Sequence, residues 1–179
     1  LTGQPADAAH LDISKRALEK AVWPGRLEKL ADHPAIYIDG AVNVLSLRSF
    51  LDSIQARLTH PVVVISAVPT DRDVKAVFAM LAAIADKWIL TSSPRNITIT
   101  FPDEPTAMAT ARATLAEIGR DIPLAYQATV AESIALGRQW AGDSGVILMP
   151  VAQPAIGDAM EFLGRSEERR VGKECRSRW

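Results

Sequence analysis

Trp23-Pro24-Gly25-Arg26-Leu27-Glu28 is followed, after six residues, by Ala35-Ile36-Tyr37-Ile38-Asp39-Gly40-Ala41-Val42-Asn43. Adjacent Pro and Gly cannot continue a helix, so the chain turns at 24–25 and presents Arg26 and Glu28 just after the turn. Ala35 to Ile38 is apolar and rich in β-formers, which predicts a short buried strand. That strand ends at Asp39, and Gly40-Ala41 leads on into a helix. An acid at the carboxyl end of a buried strand lies where open α/β sheets bind ligands. The group expected there is a nucleotide.

Outward from this stretch, strands and helices alternate. Leu27 to Leu30 can add a short strand beside the first. Helix Leu45–Arg57 carries an apolar stripe of Leu45, Phe50, Leu51 and Ile54. Strand Val62–Ser66 is a nearly continuous β-branched run, as expected when both faces are covered. Helix Arg72–Ala85, capped by Thr70 or Asp71, turns Val77, Phe78 and Leu81 inward. Strand Lys87–Thr91 follows, then a Ser92-Ser93-Pro94-Arg95 loop. Ile97 to Phe101 reads as an edge strand or an extended loop. Helix Thr106–Gly119 is capped at Thr106. Strand Pro123–Tyr126, helix Val130–Trp140, strand Gly145–Met149 and helix Ile156–Leu163 close the series. This alternation predicts an α/β, Rossmann-like three-layer sandwich around a mostly parallel sheet of five or six strands. It spans residues 23–164. Upstream, Leu11 to Val22 forms an amphipathic piece with Asp12 or Ser14 as its cap.

The 179 residues suffice for one well-packed domain, and the 48% hydrophobic content marks a globular chain. No apolar run reaches the roughly eighteen residues that a membrane span requires, so a soluble, cytoplasmic protein is expected. The start at Leu1 suggests a fragment, and no basic-then-apolar leader points to secretion. Arg165 to Trp179, RSEERRVGKECRSRW, shares neither composition nor period with what precedes it. It resembles the translation of a common sequencing adapter, so the natural sequence is expected to end near Gly164. Without that tail, 14 basic residues face 18 acidic ones, a net charge of about −4. With no basic stripe, this argues against nucleic-acid binding. Cys175 also lies in the tail, which leaves the rest without thiol chemistry. His10, His33 and His60 stand apart with no metal-ligand spacing, and Trp23, Trp88 and Trp140 are too scattered for a stacking platform. There is no G-x-x-x-x-G-K-[ST], H-E-x-x-H or G-x-S-x-G motif. No residue is assigned as catalytic and none as a metal ligand.

Arg26 follows a rigid turn, and its planar, permanently charged fork suits phosphate oxygens. A surface ion pair with Glu28 or Asp32 is the alternative. The Asp39 carboxylate can accept from a ribose hydroxyl or another polar ligand edge. It can instead cap the following helix, a task for which Asn43 is better placed. Arg95, at the carboxyl end of its strand, is a candidate for binding or steering an anionic amino acid. The alternative is a solvated loop arginine.

WPGRLE, the thirteen-position separation of Arg26 from Asp39, and DGAVN together resemble the start of the carboxyl-terminal domain of folylpolyglutamate synthase/dihydrofolate synthase, in the Mur ligase superfamily. The family pattern reads Asp-Gly-Ala-His-Asn-Pro, so Val42 stands in place of a His and Val44 in place of a Pro. Asp71-Arg72-Asp73 resembles the family's Asp-Lys-Asp, and Pro94-Arg95 its Pro-Arg pair. After the last strand the family's Gly-Ser is absent, and Pro150-Val151 receives no function. The resemblance implies that Arg26 and Asp39 contact ATP held by a central ATPase domain of the same chain. Residues 1–22 would be the end of that domain and the linker. It further implies Mg2+ bound mainly upstream, folate and glutamate as substrates, and an acyl phosphate intermediate. Val42 leaves open a non-catalytic nucleotide- or partner-binding relative, and another Mur-type amino-acid ligase is a further alternative.

Overall fold

The computed structural model describes residues 23–164. The expected helix at 11–22 with its Asp12 or Ser14 cap, His10, and the 165–179 tail with Cys175 lie outside the described residues. Within them, the strands are β1 (Glu28–Asp32), β2 (Ala35–Asp39), β3 (Val62–Ser66), β4 (Lys87–Leu90), β5 (Leu124–Tyr126) and β6 (Val146–Pro150). The helices are α1 (Val44–Ile54, continued by a 3-10 turn at Gln55–Arg57), α2 (Val74–Ile84), α3 (Glu104–Glu117), α4 (Val130–Ala141) and α5 (Gln153–Phe162).

All six strands join one sheet in the order β1-β2-β6-β3-β4-β5. The edge strand β1 runs antiparallel to β2, and every other pairing is parallel. From β2 through β3 and β4 to β5 the chain moves toward one edge, and then it returns to place β6 between β2 and β3. Right-handed crossovers put the outward helices on one face and the returning helix on the other. The two cores show this division. Leu47, Phe50, Val77, Phe78, Leu81, Ala111 and Leu115 of α1, α2 and α3 pack with Val62, Val64, Trp88 and Leu148. Val130 and Ile134 of α4, with Ile156 and Met160 of α5, pack with Ile36, Ile38, Val63, Ile65, Ile89 and Ile147. Alternate residues of β3 therefore serve opposite cores, and all five are buried. That explains a strand sequence without a polar face. One hydroxyl inside is accounted for: Trp88 Nε1–H donates to Ser66 Oγ at 2.9 Å.

The crossover geometry also fixes a switch point. The chain leaves β2 toward the α1 face and leaves the neighbouring β6 toward the α5 face, so the crevice position of an open α/β sheet falls between their carboxyl ends. Asp39 sits there, in register with Pro150. Val151 N–H donates to the Asp39 carbonyl and Ala152 N–H to that of Ala67, both at 3.0 Å. The mouths of β2, β6 and β3 are thus tied together.

Three local expectations are corrected, and one open alternative is decided. Helix α2 is capped by Asp73, which accepts from Ala76 N–H at 3.0 Å, and not by Thr70 or Asp71. Thr70 instead donates from N–H and hydroxyl to the Thr100 carbonyl. Asp103, not Thr106, caps α3, so Pro105 falls in the first turn, where its missing N–H costs nothing. By the same logic Pro154 lets α5 begin at Gln153, before Ile156. Of the two readings for residues 97–101, the loop is the one found: Thr98 turns back onto Asn96 Oδ1, and Ile97 is 95% exposed.

Candidate functional site

The turn carrying Arg26 is tied down at each backbone donor. Gly25 N–H donates to Glu28 Oε2 at 2.9 Å, Arg26 N–H to the Trp23 carbonyl at 3.1 Å, and Leu27 N–H to Asp39 Oδ2 at 2.7 Å. Gly40 N–H returns the link to the Gly25 carbonyl at 3.1 Å. Gly25 has φ +71°, and a methyl group there would meet Ile156 Cγ2 at 2.6 Å, so both conformation and space require glycine. Leu27 also lies in the left-handed region at φ +44°, uncommon for a side chain of its size.

Arg26 and Asp39, thirteen positions apart in sequence, come together. Arg26 Nη1 lies 3.6 Å from Asp39 Oδ1, with the arginine side chain 51% exposed and the aspartate 13%. The guanidinium lies over Gly40, where an added methyl would stand 2.4 Å from Nη1 and 2.9 Å from Cζ. Of the alternatives for these residues, the helix-capping role goes to Asn43, whose Oδ1 accepts from Ser46 N–H at 3.0 Å. Glu28 serves the turn backbone, and Asp32 pairs with Lys29 at 2.7 Å. The result is a half-exposed cation with a nearly buried acid behind it, facing the crevice of the sheet. Such a pair can receive an anionic group on the arginine and a hydroxyl on the carboxylate.

Val42, next to this corner, is buried at 8% exposure and offers only its backbone N–H, which donates to the Gly40 carbonyl at 3.0 Å. In Asp71-Arg72-Asp73 the last residue is the α2 cap, while Arg72 Nε lies 3.6 Å from Asp71 Oδ1.

Arg95 is not a bare cation. Its Nε donates to Asp158 Oδ1 at 2.7 Å, and its Nη2 to Glu161 Oε2. These bonds, Asp158 first, raise the guanidinium pKa above its ordinary value. Gly157 makes room for the stem, since a methyl there would lie 3.1 Å from Arg95 Cδ. Consecutive residues of α5, Ile156 and Gly157, therefore support the Arg26 turn and Arg95. Beside Arg95, a cavity of about 350 Å³ opens between Pro94, the first turn of α4 at Thr129 and Val130, and Asp158, Glu161 and Phe162 of α5.

Comparison with known families matches residues 25–150 to the Mur ligase, glutamate ligase domain. The chain belongs to that family. The folylpolyglutamate synthase of Lacticaseibacillus casei is 31% identical over 80 residues, 45% of this chain and 19% of its own length. The dihydrofolate synthase/folylpolyglutamate synthase of Bacillus subtilis is 35% identical over 54 residues, 29% of this chain and 13% of its own. Among solved structures, Mycobacterium tuberculosis folylpolyglutamate synthase, complexed with ADP and AMPPCP, superposes with a TM-score of 0.71 at 19% identity. That match covers 87% of this chain and 35% of the other. E. coli FolC in complex with ADP gives 0.64 at 19% identity, over 95% and 37% of the two chains. A pseudomurein peptide ligase from Methanothermus fervidus gives 0.60 at 19% identity, over 89% and 32%. The chain thus spans a small part of its curated relatives and about a third of these structural neighbours.

Within this glutamate ligase domain, four residues contribute to the site in ways that the sequence alone does not signal. Glu28 was weighed only as a partner for the Arg26 side chain, whereas it caps the turn three residues before it. Gly40 was read as a turn residue, whereas it is also the seat of the guanidinium. Asp158 and Glu161 carried no signal, because pairing with Arg95 across more than sixty positions depends on where α5 docks.

Proposed function

We propose that the chain is the glutamate ligase domain of an ATP-dependent folylpolyglutamate synthase/dihydrofolate synthase acting in the cytoplasm. The observation that carries this reading is the convergence of Arg26 and Asp39 at the sheet crevice, 3.6 Å apart, in a chain whose curated relatives bear that name. In this account, the folate carboxylate takes the γ-phosphoryl group of ATP, releasing ADP and forming an acyl phosphate. The glutamate amine then attacks the carbonyl carbon, phosphate leaves, and an amide bond remains. Arg26 bridges from this domain to the phosphates of ATP held by a central ATPase domain upstream and stabilises charge as the phosphoryl group moves. Asp39 commits Oδ2 to the Leu27 N–H, and Oδ1, 3.6 Å from Arg26 Nη1, keeps a further lone pair to accept from the nucleotide. Arg95 takes the anionic amino acid, whose carboxylate exchanges with Glu161, 68% exposed, more readily than with Asp158, 25% exposed.

Among the described residues no group of three or more His, Cys, Asp or Glu side chains is arranged to hold a metal ion. Mg2+ is assigned to the upstream domain, where it would neutralise phosphate charge. Residues 1–22 are taken as the end of that domain and its linker, and 165–179 as adapter-derived. Among the described residues no helix is long and apolar enough to cross a membrane.

The buried Val42 favours a second reading, a relative that keeps the fold and has lost ligation, because that side chain offers a nucleotide no hydrogen bond. The test is ADP release by the complete protein. Release that requires a folate acceptor and glutamate together supports the folate ligase. Release with a peptide acceptor instead indicates another Mur-type ligase, and no release with any acceptor indicates the non-catalytic relative.

A further inference from the structure

We propose that Glu28 is a positioning residue for Arg26: its carboxylate fixes the backbone from which the guanidinium reaches the phosphates. This rests on the role given to Arg26 above. An arginine side chain has enough rotatable bonds to place its fork almost anywhere within reach, so its aim depends on how firmly its Cα is held. Three consecutive N–H groups, at Gly25, Arg26 and Leu27, flank that Cα, and two of the three acceptors are carboxylates.

Asp39 holds the far side through Leu27, and it belongs to the site already described. Glu28 holds the near side through Gly25, which is the joint with the greatest intrinsic freedom in the turn. Glu28 is itself anchored, because it lies in the β1–β2 ladder opposite Ile38, the residue before Asp39. The two carboxylates thus stand on paired neighbouring strands and grip the turn from either side of Arg26. Removing the Glu28 acceptor orphans the N–H of a buried glycine. The loop then relaxes at the point that sets the direction of residue 26. A misplacement on the order of 1 Å at such a group can cost up to about a hundredfold in rate.

The experiment is a double-mutant cycle in the complete ligase, reading kcat and KM for ATP-dependent glutamate addition together with thermal unfolding. Glu28→Ala is expected to lower kcat/KM at least about fivefold when Arg26 is present and less than about twofold when Arg26 is already Ala. Glu28→Gln, which keeps an acceptor oxygen, should retain activity within about twofold of wild type. Glu28→Asp, one methylene too short to reach Gly25, should behave like Glu28→Ala, and it serves if the alanine variant fails to fold. Equal losses in both Arg26 backgrounds would mean that Glu28 acts through general stability, and would overturn the proposal while leaving the role of Arg26 intact. If Arg26→Ala leaves the rate unchanged, the role of Arg26 itself falls, and the positioning role falls with it.

Discussion

Gly40 makes a separation of stability from function available at one residue. A methyl group there would meet only the far end of the Arg26 side chain, at 2.4 Å from Nη1, and no backbone atom is among its nearest neighbours. A flexible side chain can move aside, so Gly40→Ala is expected to shift the unfolding free energy by less than about 1 kcal/mol. The displaced guanidinium should lose its place over the crevice, and activity of the complete protein should fall at least about tenfold. Denaturant unfolding and a rate assay on the same variant check the two halves. A large stability loss, or full activity, would mean that Gly40 is not the seat of Arg26. Gly25 differs from Gly40, because positive φ and the closeness of Ile156 both bar a side chain there.

Among the elements, α4 begins with a capping box: Thr129 Oγ1 accepts from Glu132 N–H at 3.2 Å, and Glu132 Oε2 accepts from Thr129 N–H at 3.1 Å. Since α4 is the one helix returning across the sheet and its first turn lines the cavity beside Arg95, Thr129→Ala should cost about 1 kcal/mol in denaturant unfolding. Asp86 secures the opposite end of the sheet, accepting from Val62 N–H at 2.7 Å and pairing with His60 at 2.5 Å. Burial acts to raise the Asp86 pKa, but the Val62 N–H, the His60 ring and the Arg120 charge outweigh it and hold the carboxyl below its ordinary value. A depressed folded-state value stabilises the fold above the ordinary carboxylate range, and that contribution is lost as pH falls through the folded-state value. Asp86→Asn should therefore cost about 1 kcal/mol at neutral pH, with the gap to wild type closing in acid, as followed by unfolding across pH.

The elements themselves were largely legible. The β-branched run at Val62–Ser66 fixed both ends of β3, and Asp39 was placed at the mouth of β2. Caps were harder to assign where several candidates stood in a row, as at Thr70-Asp71-Arg72-Asp73, because each can accept the same N–H and the helix chooses by where its first turn docks. Strand order was not legible beyond the crossover rule, since insertion of β6 between β2 and β3 follows from packing of α4. The proximity of Arg26 and Asp39 was readable only because one follows a forced turn and the other ends a strand that pairs with the segment after it.

At the scale of the whole molecule, the described residues form one six-stranded sheet with helices on both faces. The sheet crevice presents Arg26 and Asp39 on its carboxyl edge, and the chain contains no phosphate-loop motif of its own. Its structural neighbours are about two and a half times as long, so in this account catalysis requires another domain against which this one closes. Arg26→Ala in the complete protein tests that claim most directly, by the steady-state rate of ATP-dependent glutamate addition to a folate acceptor. The account predicts a loss of at least about tenfold, equivalent to about 1.4 kcal/mol of transition-state stabilisation, with the fold unchanged. A rate equal to that of the unaltered protein would contradict it.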